Sequence, residues 1–133
     1  MNYRIWNKGS KSWETKQTAI RSDGSLVLIQ GFRQILEAGG YILQWSIGRK
    51  DITGREIYEG DVIESHLGGH IFALNMVVKQ GSYQAYCPVD KQYMDNVGFY
   101  VSAKGLPDMP LGPVEDYAKV IGNILENPEL TEL

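Results

Sequence analysis

A mainly β fold is predicted for this chain of 133 residues, and three observations carry the prediction. Short apolar runs rich in Val, Ile, Tyr and Trp are separated by turn-forming clusters. Fifteen glycines favour many sharp connections over a few long helices. The single stretch with helical apolar spacing is barely two turns long, too short to hold a helix without packing. The expected architecture is one domain over residues 1–133. It is a coiled antiparallel sheet, consistent with a partly open SH3-like small barrel, with irregular additions and at most short helices.

The opening Tyr3-Arg4-Ile5-Trp6 alternates as a strand, Asn7 to Ser12 reads as a turn, and Trp13 returns the chain toward the sheet. Ser22-Asp23-Gly24-Ser25 is a second turn before the strand Leu26–Ile29. Phe32, Ile35, Leu36 and Ala38 fit a short helix stopped by Gly39-Gly40, or an irregular strand through Ile35 and Leu36. Tyr41–Ile47 is rich in strand formers and ends at Gly48. Asp51-Ile52-Thr53-Gly54 forms a turn in which Asp51 or Thr53 bonds locally and Gly54 supplies a positive φ.

Glu56-Ile57-Tyr58 leads to Gly60, and Asp61–Glu64 begins the next strand. Two ladders are expected at Ile71–Val78 and Tyr83–Cys87, with Lys79-Gln80-Gly81-Ser82 as the hairpin between them. Phe99–Val101 is a short strand, and the proline-rich Leu106–Pro113 an irregular surface crossing. Tyr117–Leu125 closes the fold. Ala118, Val120 and Ile124 share one face there, and Gly122 permits a bulge or close approach.

Composition narrows the function classes. With 43% hydrophobic and 22% charged residues, the chain can bury a core and falls outside the disordered class. A formal net charge of -3 gives no global attraction to nucleic acid or anionic lipid. Cys87 stands alone, so no intrachain disulfide is possible. The first residues lack the apolar core of a signal peptide and no run reaches the length of a membrane span. A cytoplasmic protein without membrane partners is expected.

Three blocks resemble the YopX family of small phage and prophage proteins. The first is Tyr3-Arg4-Ile5-Trp6-Asn7. The second runs from Gln44 to Ile63 and includes Gly48, Asp51, Gly54 and Glu56-Ile57-Tyr58-Glu59-Gly60-Asp61. The third is Val120 to Leu130, with Gly122 and Asn123. Trp45-Ser46 and Leu125 depart from the family pattern, and Lys79–Pro113 contributes little to it. The resemblance implies a mainly β fold and a phage origin. It brings no enzymatic reaction.

The candidate chemistry is sparse. Glu56, Glu59, Asp61 and Glu64 would suit a divalent cation or acid–base work if they converged, but alternation along a strand separates neighbours. The economical reading of Asp61 is a carboxylate bonding local backbone, and Asn123 reads the same way. Arg4 is expected to pair with Glu56, Asp61 or Glu126. His66 and His70 have metal-ligand spacing only on a helix, and Gly68-Gly69 lies between them. Cys87 lacks an activating base in the sequence.

Arg49, Lys50 and Arg55, with Tyr58 or Trp45 nearby, could meet phosphate and stack on a base. No phosphate-binding loop surrounds them. No metal or cofactor is implied. The expected role is therefore a noncatalytic phage accessory protein that self-assembles or binds a phage or host protein. Nucleic-acid binding through Arg49, Lys50 and Arg55 is the alternative, and a metal-dependent enzyme is less favoured.

Overall fold

The structure is a computed structural model and describes residues 2–14, 18–20, 26–30, 33–36, 41–67, 70–105 and 107–131. It is mainly β, built from antiparallel sheets with one four-residue helix among the described residues. Within the expected domain the chain forms two compact units, Tyr3–Gln44 and Met1–Asn2 with Trp45–Leu133. No helix among the described residues is long and apolar enough to cross a membrane.

In the unit Tyr3–Gln44, β1 (Tyr3–Asn7) and β2 (Ser12–Trp13) form a hairpin with Trp6 opposite Trp13. Their rings meet edge to face at 4.9 Å, a favourable quadrupolar geometry. The guanidinium of Arg4 lies 4.0 Å over the Trp13 ring and donates to Gln44. The side chain of Asn7 closes the intervening turn by accepting from the N–H groups of Gly9 and Ser10.

A separate meander follows, of β3 (Thr18–Ile20), β4 (Leu26–Gln30) and β5 (Arg33–Leu36). The short helix considered for Phe32–Ala38 is corrected on its described part. Residues 33–36 instead pair with β4 as a strand, the alternative expected through Ile35 and Leu36, because the edge of β4 offers backbone hydrogen bonds while an isolated two-turn helix is marginal. The turn expected at Ser22–Ser25, together with Phe32, Ala38, Gly39-Gly40 and Gly68-Gly69, lies outside the described residues.

The chain enters the other unit within β6 (Tyr41–Lys50), which pairs with β7 (Glu56–Tyr58). A five-stranded sheet follows. Its strands are β8 (Asp61–Leu67), β9 (His70–Cys87), β10 (Gln92–Ser102), β11 (Met109–Pro110) and β12 (Ala118–Asn123), in the order β11-β10-β9-β8-β12. Ile47, Ile57, Ile63, Met76, Val78, Val101, Val114 and Val120 fill its core. Helix α1 (Val114–Tyr117) contributes the fully buried Val114, and the preceding crossing contributes Leu111.

Several expectations are corrected here. No hairpin turn forms at Lys79–Ser82, because β9 runs unbroken through Gly81 and the turn lies at residues 88–91. The strand expected at Phe99–Val101 is the end of the longer β10. The crossing Leu106–Pro113 carries the short β11, so part of it belongs to the sheet. Tyr117 belongs to α1, not to the last strand. Ala118 and Val120 are buried, but Ile124 lies past the end of β12 and is exposed. The register shifts between Val120 and Gly122, leaving Ile121 as the extra residue of a bulge.

Candidate functional site

The polar and charged residues of the central block resolve into supports for the sheet. Asp51, only 4% exposed, begins the turn after β6. Its Oδ1 accepts from the Thr53 N–H at 2.8 Å, the Thr53 hydroxyl at 2.6 Å and the Arg55 N–H at 2.9 Å. Its Oδ2 accepts from the Val120 N–H at 2.9 Å, and the Ile52 N–H donates to Ala118 O. The turn therefore covers the free edge of β12 beside its bulge and pairs backbone groups that would otherwise face outward. Burial alone would push the Asp51 carboxyl up. The hydrogen bonds from Thr53, Val120 and Arg55 outweigh that effect and hold it below its ordinary range.

A second polar pair sits where β8 begins. Asp61 is fully buried and accepts from the Tyr58 N–H at 2.8 Å and from Asn123 Nδ2 at 2.9 Å. Asn123 also accepts from the Leu125 N–H. Gly60, at φ 87°, donates to Val78 O and accepts from Ile124 N, so its peptide groups join β9 to the chain leaving β12. Among the described residues no buried side-chain nitrogen or oxygen lacks a hydrogen-bond partner.

The remaining carboxylates point to separate tasks. Glu56 accepts from Ser46, Asn2 and Tyr58, and these donors lower its pKa. Glu59 accepts from the Trp45 N–H, while Glu64 meets His66 at 2.7 Å. His66 stands opposite Ile71 and His70 opposite Leu67 on paired strands, so helical metal-ligand spacing does not apply. No group of three or more His, Cys, Asp or Glu among the described residues is placed to hold a metal. Cys87 is half-buried, and its thiol lies 3.7 Å from Asp90.

The basic set is divided as well. Arg49 makes a two-point ion pair with Glu115 on α1 and donates to Gly112 O. The pairing raises the Arg49 pKa and lowers that of Glu115. Lys50 and Arg55 are exposed, and the Tyr58 hydroxyl donates to Glu56. Gly48 and Gly54 take φ of 77° and 86°, serving the strand distortion and the Asp51 turn. Gly122 is needed for space: a Cβ there would lie 2.6 Å from Leu130 Cδ1 and 2.7 Å from Asn127 Oδ1.

What sequence reading missed is an arm. Strand β8 pairs with β9 only as far as Val77, and β11 reaches β10 only at Tyr100 and Val101. From Gln80↔Phe99 to Cys87↔Gln92, β9 and β10 pair with each other alone among the described residues. Gly81 and Gly98 oppose one another in this ribbon at φ 142° and 148°. Tyr83, opposite Asn96, and Tyr100, opposite Lys79, lie on either side of that glycine pair, and their rings stack across it at 4.6 Å. Aromatic stacking here replaces the side-chain contact that paired glycines cannot make.

Beyond the glycines, Val97 is 84% exposed and Val89, at the tip, 88%, with Tyr93 and Met94 also exposed. The signal in the sequence was the symmetry of Gly81 and Gly98 about Pro88-Val89-Asp90-Lys91, with Pro88 opening the true turn.

A mainly β protein with polar-anchored turns at its base and a projecting two-stranded arm is thus defined. The chain belongs to the YopX protein family, whose model matches residues 2–132. Its fold is similar to that of the protein yopX from Bacillus subtilis, at TM-score 0.57 and 20% identity over 98% of this chain and 97% of that one. It is also similar to the protein EF1440 from Enterococcus faecalis, at TM-score 0.55 and 22% identity over 98% and 96% of the two chains. None of the curated proteins matches the chain.

Proposed function

We propose that the chain is a noncatalytic phage accessory protein that self-assembles through the β9–β10 arm. The observation that carries this reading is the arm itself. A two-stranded ribbon is marginal alone in water, yet this one extends beyond the sheet with Val97, Tyr93, Met94 and Val89 exposed. Its strand edges offer backbone donors and acceptors, and its apolar side chains offer area for burial. A second copy supplies both, since identical edges can pair antiparallel about a two-fold axis. The dispersed carboxylates favour a binding role over a catalytic one.

Nucleic-acid binding through Arg49, Lys50, Arg55 and Tyr58 is weaker, because Glu115 already neutralises Arg49. The test is solution mass by sedimentation over a concentration series, for the wild type and for Val97→Lys combined with Tyr93→Lys. Reversible dimerisation lost in the variant is the expected result. A wild type that stays monomeric, or a dimer indifferent to the variant, overturns it. Parallel low-salt samples with DNA and RNA test the alternative, which requires a salt-reversible shift in mass.

A further inference from the structure

The face of the sheet opposite the Ile63, Met76 and Val78 core carries a cleft of about 420 Å³ at the base of the arm. Val77 and Lys79 share that face by alternation along β9, and Ser102 stands opposite Val77 on β10. Lys104, just past β10, and Leu130 and Thr131, at the end of the C-terminal 3-10 turn Pro128–Leu130, complete the walls. No acidic residue lines the cleft among the described residues. Both Lys79 and Lys104 are exposed, and among the described residues neither has an ion-pair partner. In a chain of net charge -3, these two cations share a recess that none of the described acidic residues lines.

The polar donors and the apolar surface are arranged around these charges. Asn75, in the left-handed region at φ 55°, lies at the β8–β9 irregularity and lines the cleft. The side chains of Asn75 and Ser102 are committed to no other described residue. The Thr131 hydroxyl, in contrast, donates to Pro128 O at 3.3 Å. Val77, Ala103 and Leu130 supply an apolar wall.

We propose that this cleft binds a small phosphomonoester. A monoester carries a charge of about -1.5 to -2 near neutral pH, which two ammonium groups balance. Its oxygens accept from the lysines, Ser102 and Asn75, and its carbon portion rests on Val77, Ala103 and Leu130. The volume falls within the range of small-molecule sites, roughly 300–1,000 Å³. An extended nucleic-acid strand would need a track of cations, whereas here two converge on one recess.

The test is a titration of the full chain followed by amide NMR. Phenyl phosphate is the probe, with inorganic phosphate and a single-stranded oligonucleotide lacking terminal phosphates as parallel arms. Saturable shifts are expected at residues 75–79, 102–104 and 130–131, with phenyl phosphate tighter than inorganic phosphate. Lys79→Met and Lys104→Met should each weaken it about tenfold, as loss of one charge-assisted hydrogen bond predicts. Lys119→Met, an exposed lysine on β12 outside the cleft, should leave binding unchanged.

All three lysines are exposed, so an unchanged thermal midpoint separates lost binding from lost folding. Absence of saturation, or shifts indifferent to Lys79→Met and Lys104→Met, overturns the site. Equal affinity for inorganic phosphate overturns the ester, and tighter oligonucleotide binding overturns the small-molecule assignment.

Discussion

The base of the sheet and the arm that rises from it solve the edge problem in opposite ways. At the base, the free edge of β12 is covered by the Asp51 turn, which takes the Val120 N–H on a carboxylate and gives the Ile52 N–H to Ala118 O. Nearby, Asp61 and Asn123 are buried and bonded to each other. In the arm, β9 and β10 extend past every other described strand of their sheet and keep apolar side chains in water. The contrast separates two uses of one strand architecture. Charge-assisted hydrogen bonds to a buried acceptor fix a fold, while unpaired edges with apolar side chains provide for association.

The contrast breaks most severely at Asp51. Asp51→Ala leaves the buried Val120 N–H without an acceptor, while the Thr53 and Arg55 N–H groups can turn to water. A loss of about 2–3 kcal/mol in urea-denaturation stability is expected from one unsatisfied buried donor and the lost bonds. A change within error would show that the edge is held by other means. The same carboxylate sets an acid limit. Its folded pKa lies below the ordinary value, so its contribution is fully present above the unfolded pKa of about 4. It is lost as pH falls through the lower folded value. Stability of the wild type should therefore drop on acidification through that window more than that of Asp51→Asn.

Gly122→Ala tests the close approach of the C-terminal turn. The added Cβ must displace Leu130 and the Asn127 side chain, whose Oδ1 accepts from the Asn123 N–H. Overpacking of this kind costs about 1–3 kcal/mol, measurable in the same denaturation experiment. Smaller effects are expected in the arm. Val97→Lys should change monomer stability by less than about 0.5 kcal/mol, as for an exposed position, while sedimentation reads any change in assembly. A large loss of monomer stability would mean that Val97 packs within its own chain. The least effect belongs to Glu115→Gln, whose ion pair with Arg49 is solvent-exposed. At high salt its denaturation curve should superpose on that of the wild type, because exposed pairs are screened.

Much of the base is legible in the sequence. Asp51-Ile52-Thr53-Gly54 predicts its own turn, because an Asx side chain and a glycine at positive φ are local requirements. Tyr41–Ile47 and Asp61–Glu64 declare themselves as strands by residue type, and both lie within observed strands. The far acceptors were not legible. Nothing in the spacing links Asp51 to Val120 or Arg49 to Glu115, because those contacts depend on which strand lies at the edge and on where α1 packs. The arm was hidden for a related reason. Gly81 between Gln80 and Ser82 has the composition of a turn, and only the Gly98 opposite it makes that position a point inside a continuous ladder.

The sequence by itself determined a mainly β chain of short strands, the local turns that shape it and membership in a recognisable family. Those properties rest on residue-by-residue preferences: β-branched and aromatic side chains for pleated backbone, glycine and aspartate for tight reversals. Only the tertiary structure decided which carboxylates would be buried as acceptors, which cations would meet an acid and which would share a cleft. It also decided where two strands would outrun their sheet. Those outcomes depend on register and sheet order, where a shift of one residue exchanges the buried and exposed faces of a strand.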